Sequence, residues 1–267
     1  MSRKDDFYNR AKQEGYRARS AYKLRQIDDE ADLLSPGDTV VDLGAAPGGW
    51  LQIAAEAVTE AGTVVGVDLR DIDEFDHPHV RTVQGDMTDE RTRYYLRKAL
   101  GVDPDPDDDA EPERPIDAVV SDMAPDMTGE YELDHARSIH LARQAFDTAL
   151  ELLRPGGSFV VKVFDGQDLA DFRADVDREF RYVRAYTPEA SRKRSSERYL
   201  IARGRTDAPV AEGDEVEVEV TGTGDEGDGV ADVEGYTLFV PDAEPGDTVE
   251  VVVDDVKPRF GFAERVD

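Results

Sequence analysis

No cysteine occurs among the 267 residues, which excludes a disulfide scaffold, thiolate metal sites and cysteine nucleophile chemistry. Long apolar runs are missing as well. Stretches such as FVV at 159–161 fall far short of the ~18 residues of a membrane-spanning helix, and the polar start MSRKDDFYNR has no signal-peptide core. The expectation is a soluble cytoplasmic protein with no membrane partner. Positive charge is scarce: 32 Lys and Arg stand against 61 Asp and Glu, a net charge of −29. Such a deficit ordinarily argues against a nucleic-acid partner, because phosphate backbones are bound by clustered cations. Hydrophobic residues still make up 39% of the chain in periodic runs, which argues against a disordered acidic tail.

The distribution of charge matters more than its sum. Residues 1–25 hold eight basic residues (Arg3, Lys4, Arg10, Lys12, Arg17, Arg19, Lys23, Arg25) against three acidic ones, a local +5. The stretch 189–205 holds Arg192, Lys193, Arg194, Arg198, Arg203 and Arg205 against Glu189 and Glu197, a local +4. Of the 32 basic residues 25 are arginine, and the excess acid falls where loops and helix faces meet water. This reads as adaptation to high salt, where screening over ~3 Å at molar ionic strength makes dense surface charge tolerable. The competing reading is an acidic partner-binding surface.

Periodicity gives alternating strands and helices, the pattern of a parallel α/β sheet. Strands are expected at 39–43, 63–69, 81–86, 116–122 and 158–164. Ser20 is expected to cap a helix carrying Tyr22, Leu24 and Ile27, and Pro47 to open one that ends at Gly62. Further helices are expected over 135–153 and through Leu169, Phe172, Val176 and Phe180. Segments 180–187 and 198–204 read as a terminal hairpin with a basic loop. The segment 103–113, with seven acids and three prolines, is an exposed insertion. After Arg205 the composition changes, and 207–267 carries 19 acids and three bases on short alternating strands. Two domains follow, 1–206 and 207–267, the second a small β-barrel or sandwich.

In an open α/β sheet, ligands lie beyond the carboxyl ends of the strands, and here Asp42, Asp68, Asp86 and Asp122 stand at successive strand ends. One such aspartate is ordinarily a cap or turn residue; four are harder to dismiss. The turn DLGAAPGGW at 42–50 has glycines in the order G-x-x-x-G-G, unlike the G-x-G-x-x-G of dinucleotide binding. Asp68 is placed to accept from the hydroxyls of an adenosine ribose, and Asp86 from an adenine amino group, so an adenosine-bearing cofactor is expected. Lys162 lies between Val161 and Val163 in an apolar strand, where an ammonium is costly to desolvate. It is either a lysine reaching solvent or a buried amine able to take a proton.

GAAPGGW, SDMAP, GGSFVVKVF and SRKRSSERY, in this order, resemble the FtsJ/RrmJ family of S-adenosylmethionine-dependent RNA 2′-O-ribose methyltransferases. The similarity covers about residues 6–204 and lies nearest the branch that methylates a uridine of large-subunit ribosomal RNA. The resemblance implies a Rossmann-like sheet flanked by helices and a catalytic tetrad of Lys23, Asp122, Lys162 and Glu197. It implies S-adenosyl-L-methionine contacts from Gly48, Trp50, Asp68, Asp86 and Asp122, and it requires no metal. In that scheme Lys162 is the proton acceptor, Lys23 keeps it neutral by like-charge repulsion, and the basic islands contact RNA phosphates. The tail from about Pro209 to Val266 resembles a TRAM domain through EGDEVEVEV and VVVDDVKPRFGFAERV. Phe260 and Phe262 beside Lys257 and Arg259 would stack on and neutralise single-stranded RNA, unless they are core aromatics.

The expected partner is ribosomal RNA or the large ribosomal subunit, and the expected form a monomer. Two readings compete: the same chemistry on transfer RNA, and a non-catalytic RNA-binding ribosome-assembly factor. A nicotinamide dehydrogenase is disfavoured by the glycine spacing and by the absence of His77, His79, His135 and His140 from any matching motif.

Overall fold

The computed structural model describes residues 3–102, 115–125, 128–192, 196–206, 208–224, 227–258 and 260–266, with 3–5 through their backbone alone. The insertion expected at 103–113, together with Lys193, Arg194 and Arg259, lies outside the described residues. The chain clusters into two compact units. One holds the residues up to Val176 with Tyr182–Gly204, and the other holds Asp177–Arg181 with the chain from Arg205 onward. No helix among the described residues is long and apolar enough to cross a membrane.

The larger unit is built on one sheet of β1 (Thr39–Leu43), β2 (Thr63–Asp68), β3 (Val80–Gln84), β4 (Ile116–Ser121), β5 (Leu153–Phe164), β6 (Phe180–Tyr186) and β7 (Glu197–Arg205), in the order β3-β2-β1-β4-β5-β7-β6. Strands β1 to β5 run parallel, and β7 runs antiparallel to β5. Around them lie α1 (Arg3–Glu14), α2 (Ala21–Ala31), α3 (Gly49–Val58), α4 (Glu90–Leu100), α5 (Tyr131–Leu152) and α6 (Leu169–Glu179). Parallel strands joined by helices are covered on both faces, which is why TVVDL buries Val40, Val41 and Leu43 completely. Leu24 and Ile27 of α2 share a core with Leu51 and Ile53 of α3. Phe146 of α5 packs on Phe159 of β5 and Phe172 of α6, with ring centroids 5.8 and 5.9 Å apart.

Each of the five parallel strands overlaps the segment expected for it, although β5 begins at Leu153, five residues early, and three further expectations need correction. Ser20 makes no side-chain capping bond. Pro47 sits in the turn ahead of α3, after a cis Ala46–Pro47 bond, and the helix starts at Gly49. Helix α5 begins at Tyr131, where Asp134 accepts from the N–H groups of Thr128 and Gly129. The two terminal segments lie side by side as the expected hairpin, and β7, whose Tyr199–Ala202 stretch is wholly buried, takes the interior place beside β5. The more exposed β6 is left at the edge. Helices α1 and α4 were not anticipated.

The smaller unit is a closed barrel of β8 (Glu215–Thr223), β9 (Gly229–Val233), β10 (Tyr236–Val240), β11 (Thr248–Val256) and β12 (Phe260–Arg265), in the order β10-β12-β11-β8-β9. This decides between barrel and sandwich. Val218, Val220, Leu238, Val251 and Val253 point inward, while Glu215, Glu217, Glu219 and Glu250 alternate with them outward, the period-2 pattern of a small barrel.

Candidate active site

From β1 the chain moves outward to β2 and β3 and then returns to β4 on the opposite side of β1, so the topological switch lies between β1 and β4. A crevice is expected beyond their carboxyl ends. A cavity of about 560 Å³ opens there, lined among others by Gly44, Asp68, Asp86, Met87, Asp122 and Met123. The turn after β1 depends on glycine. Gly44 has φ +79°, and a Cβ on it would stand 2.2 Å from Met123 Cγ.

The crevice brings together three of the five residues expected to hold a cofactor. Asp68 ends β2, and its carboxylate already accepts from the N–H of Ala46 (2.9 Å) and of Arg70 (2.8 Å), so it ties the glycine turn to the second strand. With Arg70 Nε also donating to Oδ1 at 3.4 Å, one lone-pair site remains for a ligand. Asp86 accepts from the N–H and hydroxyl of Thr88 at 2.9 and 2.7 Å. Asp122 follows β4. Gly48 and Trp50 are not among the lining residues. Gly48, with φ +104°, precedes α3, and Trp50 is buried, donating its indole N–H to Ser20 O at 2.8 Å and leaning on Tyr199.

Behind the crevice lies a cluster that four separate elements assemble. Lys162 of β5 donates to both the backbone oxygen of Asp122 and its Oδ1, the latter at 3.0 Å. Lys23 of α2 reaches the same Oδ1 at 3.4 Å and Glu197 Oε1 at 2.8 Å. Glu197, at the start of β7, also accepts from Ser191 Oγ at 2.7 Å. All four residues singled out as a tetrad therefore meet, two basic and two acidic side chains. Both lysines are over nine-tenths buried. Burial pushes the Asp122 carboxyl up, but Lys162 and Lys23 outweigh it, and with a hydrogen bond from Tyr199 they hold it below the ordinary carboxylate value.

Sequence reasoning missed Tyr199 and left Asp42 without a role. Tyr199 pairs directly across from Lys162, is fully buried, donates to Asp122 Oδ1 at 2.5 Å and accepts from Lys23 Nζ at 2.9 Å. Burial, with the charges of Asp122 and Glu197, pushes its phenol well above the ordinary value, so it stays a donor. The strand period supplied the signal, since Glu197 and Tyr199 two residues apart share a face. Asp42 is buried in β1, and neither carboxylate oxygen has a partner among the described residues. Burial, with Asp122 and Asp68 nearby, raises its carboxyl well above the usual range.

Several cations of the two basic islands have partners within the protein. Arg10 pairs with Glu14, and Arg25 with Glu56. Arg17 donates to the carbonyls of Asp73 and Glu74 while lying over the Phe75 ring. Arg19 reaches Ala190 O, Arg198 pairs with Asp165, and Arg203 reaches Ala31 O. In the barrel, Lys257 is paired with Asp255 at 2.5 Å. Phe260 and Phe262 are not core aromatics: with Phe239 they form a ring cluster, centroids 5.5–5.7 Å apart, outside the barrel's buried core.

A parallel sheet with an antiparallel β7 inserted beside β5, and a carboxylate-lined crevice at its switch point, define the class: a Rossmann-like methyltransferase domain followed by a small barrel. The FtsJ-like methyltransferase model matches residues 16–205 and the TRAM domain model residues 209–266. The chain belongs to the FtsJ-like methyltransferase family and carries a TRAM domain. Over its full length it is 65% identical to the ribosomal RNA large subunit methyltransferase E of Halorubrum lacusprofundi, covering 95% of that protein. It is 62% identical to the protein of the same name from Natronomonas pharaonis, each chain covered completely. A solved structure from Plasmodium falciparum, described as a ribosomal RNA methyltransferase, aligns with a TM-score of 0.59 at 25% identity over 71% of this chain and 98% of that one.

Proposed function

We propose that this protein methylates the ribose 2′-hydroxyl of a uridine in large-subunit ribosomal RNA, using S-adenosyl-L-methionine. The observation that carries the reading is the convergence of Lys23, Asp122, Lys162 and Glu197 behind the crevice. Full-length identity to two proteins named for large-subunit ribosomal RNA methylation supports the choice of RNA.

The crevice suits a cationic, adenosine-bearing ligand. Its charged lining is three carboxylates and one cation, Arg70, and Arg70 is turned onto Asp68 and the Ala46 carbonyl. When bound, S-adenosyl-L-methionine supplies a methyl group on a sulfonium. Asp68 and Asp86 would hold the nucleoside hydroxyls and amino group, with Gly48 and Trp50 setting the turn and the packing beneath it. Lys162, as the neutral amine, takes the proton of the ribose 2′-hydroxyl as its oxygen captures the methyl, and alignment of that hydroxyl supplies much of the acceleration. Asp122 touches both crevice and tetrad and therefore orients Lys162 toward the reacting oxygen. Glu197 and Tyr199 position Lys23.

The domain boundary that fits this division of labour lies between 206 and 207, and the barrel's three-phenylalanine cluster would stack on RNA bases. Purified protein incubated with labelled cofactor and deproteinised ribosomal or transfer RNA tests the assignment, with 2′-O-methyl positions mapped afterward. A single new methylated uridine in the large-subunit RNA is expected. Methylation of transfer RNA alone, or of neither RNA, would overturn it.

A further inference from the structure

Helix α4, ERTRYYLRKAL, holds four cations and one acid in eleven residues of a chain whose acids outnumber bases 61 to 32. Helix stability does not account for them all. Arg97 and Lys98 in the last turn complement the helix dipole, but Arg91 near the first turn opposes it. Arg93 is paired with Glu151 at 2.6 Å, whereas Arg91 has no carboxylate partner among the described residues and lies over the Tyr95 ring, 5.7 Å from its centroid. Tyr94 and Tyr95 are 40% and 44% exposed and meet edge to face. Arg91, Tyr95 and Lys98, spaced i, i+4 and i+7, form one stripe. Tyr95 and Lys98 of that stripe, with Arg81, Thr82 and Gln84 of edge strand β3 among others, line a groove of about 520 Å³, and Arg91 lies one turn beyond Tyr95, outside its lining.

The groove adjoins the crevice. Gln84, at the end of β3, donates to the Leu69 carbonyl at 3.1 Å, and Leu69 lines the crevice. From β5, which carries Lys162, to β3 there are four strand spacings, about 20 Å. Alternating guanidinium, ring and ammonium groups suit a ribose–phosphate chain with unpaired bases, since rings accept any base face and cations meet the backbone.

We propose that the α4–β3 groove is a second docking surface for a single-stranded stretch of the substrate RNA, with Tyr95 stacking on a base and Arg91 and Lys98 contacting phosphates. The proposal rests on RNA being the substrate. At molar salt, screening within ~3 Å weakens the charge contacts far more than the stacking, so Tyr95 should matter most under those conditions.

The test is fluorescence anisotropy of a labelled large-subunit ribosomal RNA fragment, at ~0.2 and ~2 M salt, with wild type, the triple variant Arg91→Gln, Tyr95→Ser, Lys98→Gln, and the singles Tyr95→Ser and Tyr95→Phe. Tyr95→Ser is expected to weaken binding about tenfold at both salts, the size of one lost base stack, while Tyr95→Phe retains affinity. In the triple variant KM for RNA should rise by a similar or larger factor, with kcat, cofactor affinity and melting temperature unchanged. Wild-type RNA affinity in the triple variant overturns the proposal and leaves the face to an acidic protein partner. If the triple melts early, the Ser against Phe comparison decides alone. A wild type that binds RNA but methylates none refutes the proposed function and leaves this test standing; a wild type that binds no RNA overturns both.

Discussion

Lys162 meets Asp122 through two hydrogen bonds, and that geometry serves either a structural cation or a proton acceptor. The two roles separate on Lys162→Arg. An arginine keeps the charge and can still bond Asp122, but its pKa above ~12 prevents it from taking a proton. Single-turnover methylation is expected to fall by about 10² to 10⁴, the usual worth of a positioned base, while calorimetric cofactor affinity stays within a few-fold. Activity near wild type would leave alignment as the source of catalysis. Asp42 makes a different kind of prediction. Its carboxyl is raised in the folded protein, chiefly by burial, so the folded state holds a proton that the unfolded chain releases above about pH 3.9. Stability from this group is complete below that pH and is lost as pH rises toward the raised value, by up to about 1.4 kcal/mol per pH unit. Denaturant titrations from pH 4 to 8 should show that Asp42→Asn removes this slope relative to wild type. Parallel profiles for the two proteins would show that Asp42 does not titrate there.

At the level of elements, the turn between β1 and α3 is where a small covalent change has the largest expected effect. Gly44→Ala places a methyl against Met123 and forces a side chain onto a left-handed residue. The backbone conflict alone costs on the order of 1 kcal/mol, and the displaced Met123 narrows the crevice. Thermal melts should show a lowered midpoint, and calorimetric titration a weakened cofactor. A variant with unchanged affinity would place the cofactor away from this turn. Strand β7 shows the same dependence of site on element. Its register against β5 sets Tyr199 opposite Lys162 and Glu197 opposite Phe164, so a one-residue slip would carry both polar residues to the other face.

For the whole molecule, the net charge of −29 governs behaviour in salt. Repulsion among acidic side chains weakens as the Debye length shrinks from ~10 Å at 0.1 M to ~3 Å at 1 M. The melting temperature should therefore rise between ~0.1 and ~2 M salt. A flat profile would remove the case for salt adaptation and return attention to an acidic binding surface. RNA binding should likewise improve, or at least hold, over a range where counterion release ordinarily weakens it.

Much was legible in the chain itself, because hydrophobic period and strand-end chemistry are local. The five parallel strands, the barrel's alternation, the aspartates at strand ends and the four motifs that mark the family all follow from residues close together in sequence. Lys23 and Glu197, 174 positions apart, were legible only through resemblance. What folding alone decided is non-local. The placing of β7 inside the sheet put Tyr199 into the tetrad. The partners of Arg17, Arg19 and Arg25, carbonyls and a carboxylate of distant segments, could not be read from the local charge of residues 1–25. The basic stripe of α4 became a surface only when β3 came to lie beside it. Charge and period can be read along a chain, whereas a side chain's partner depends on which distant segment packing brings within about 3 Å.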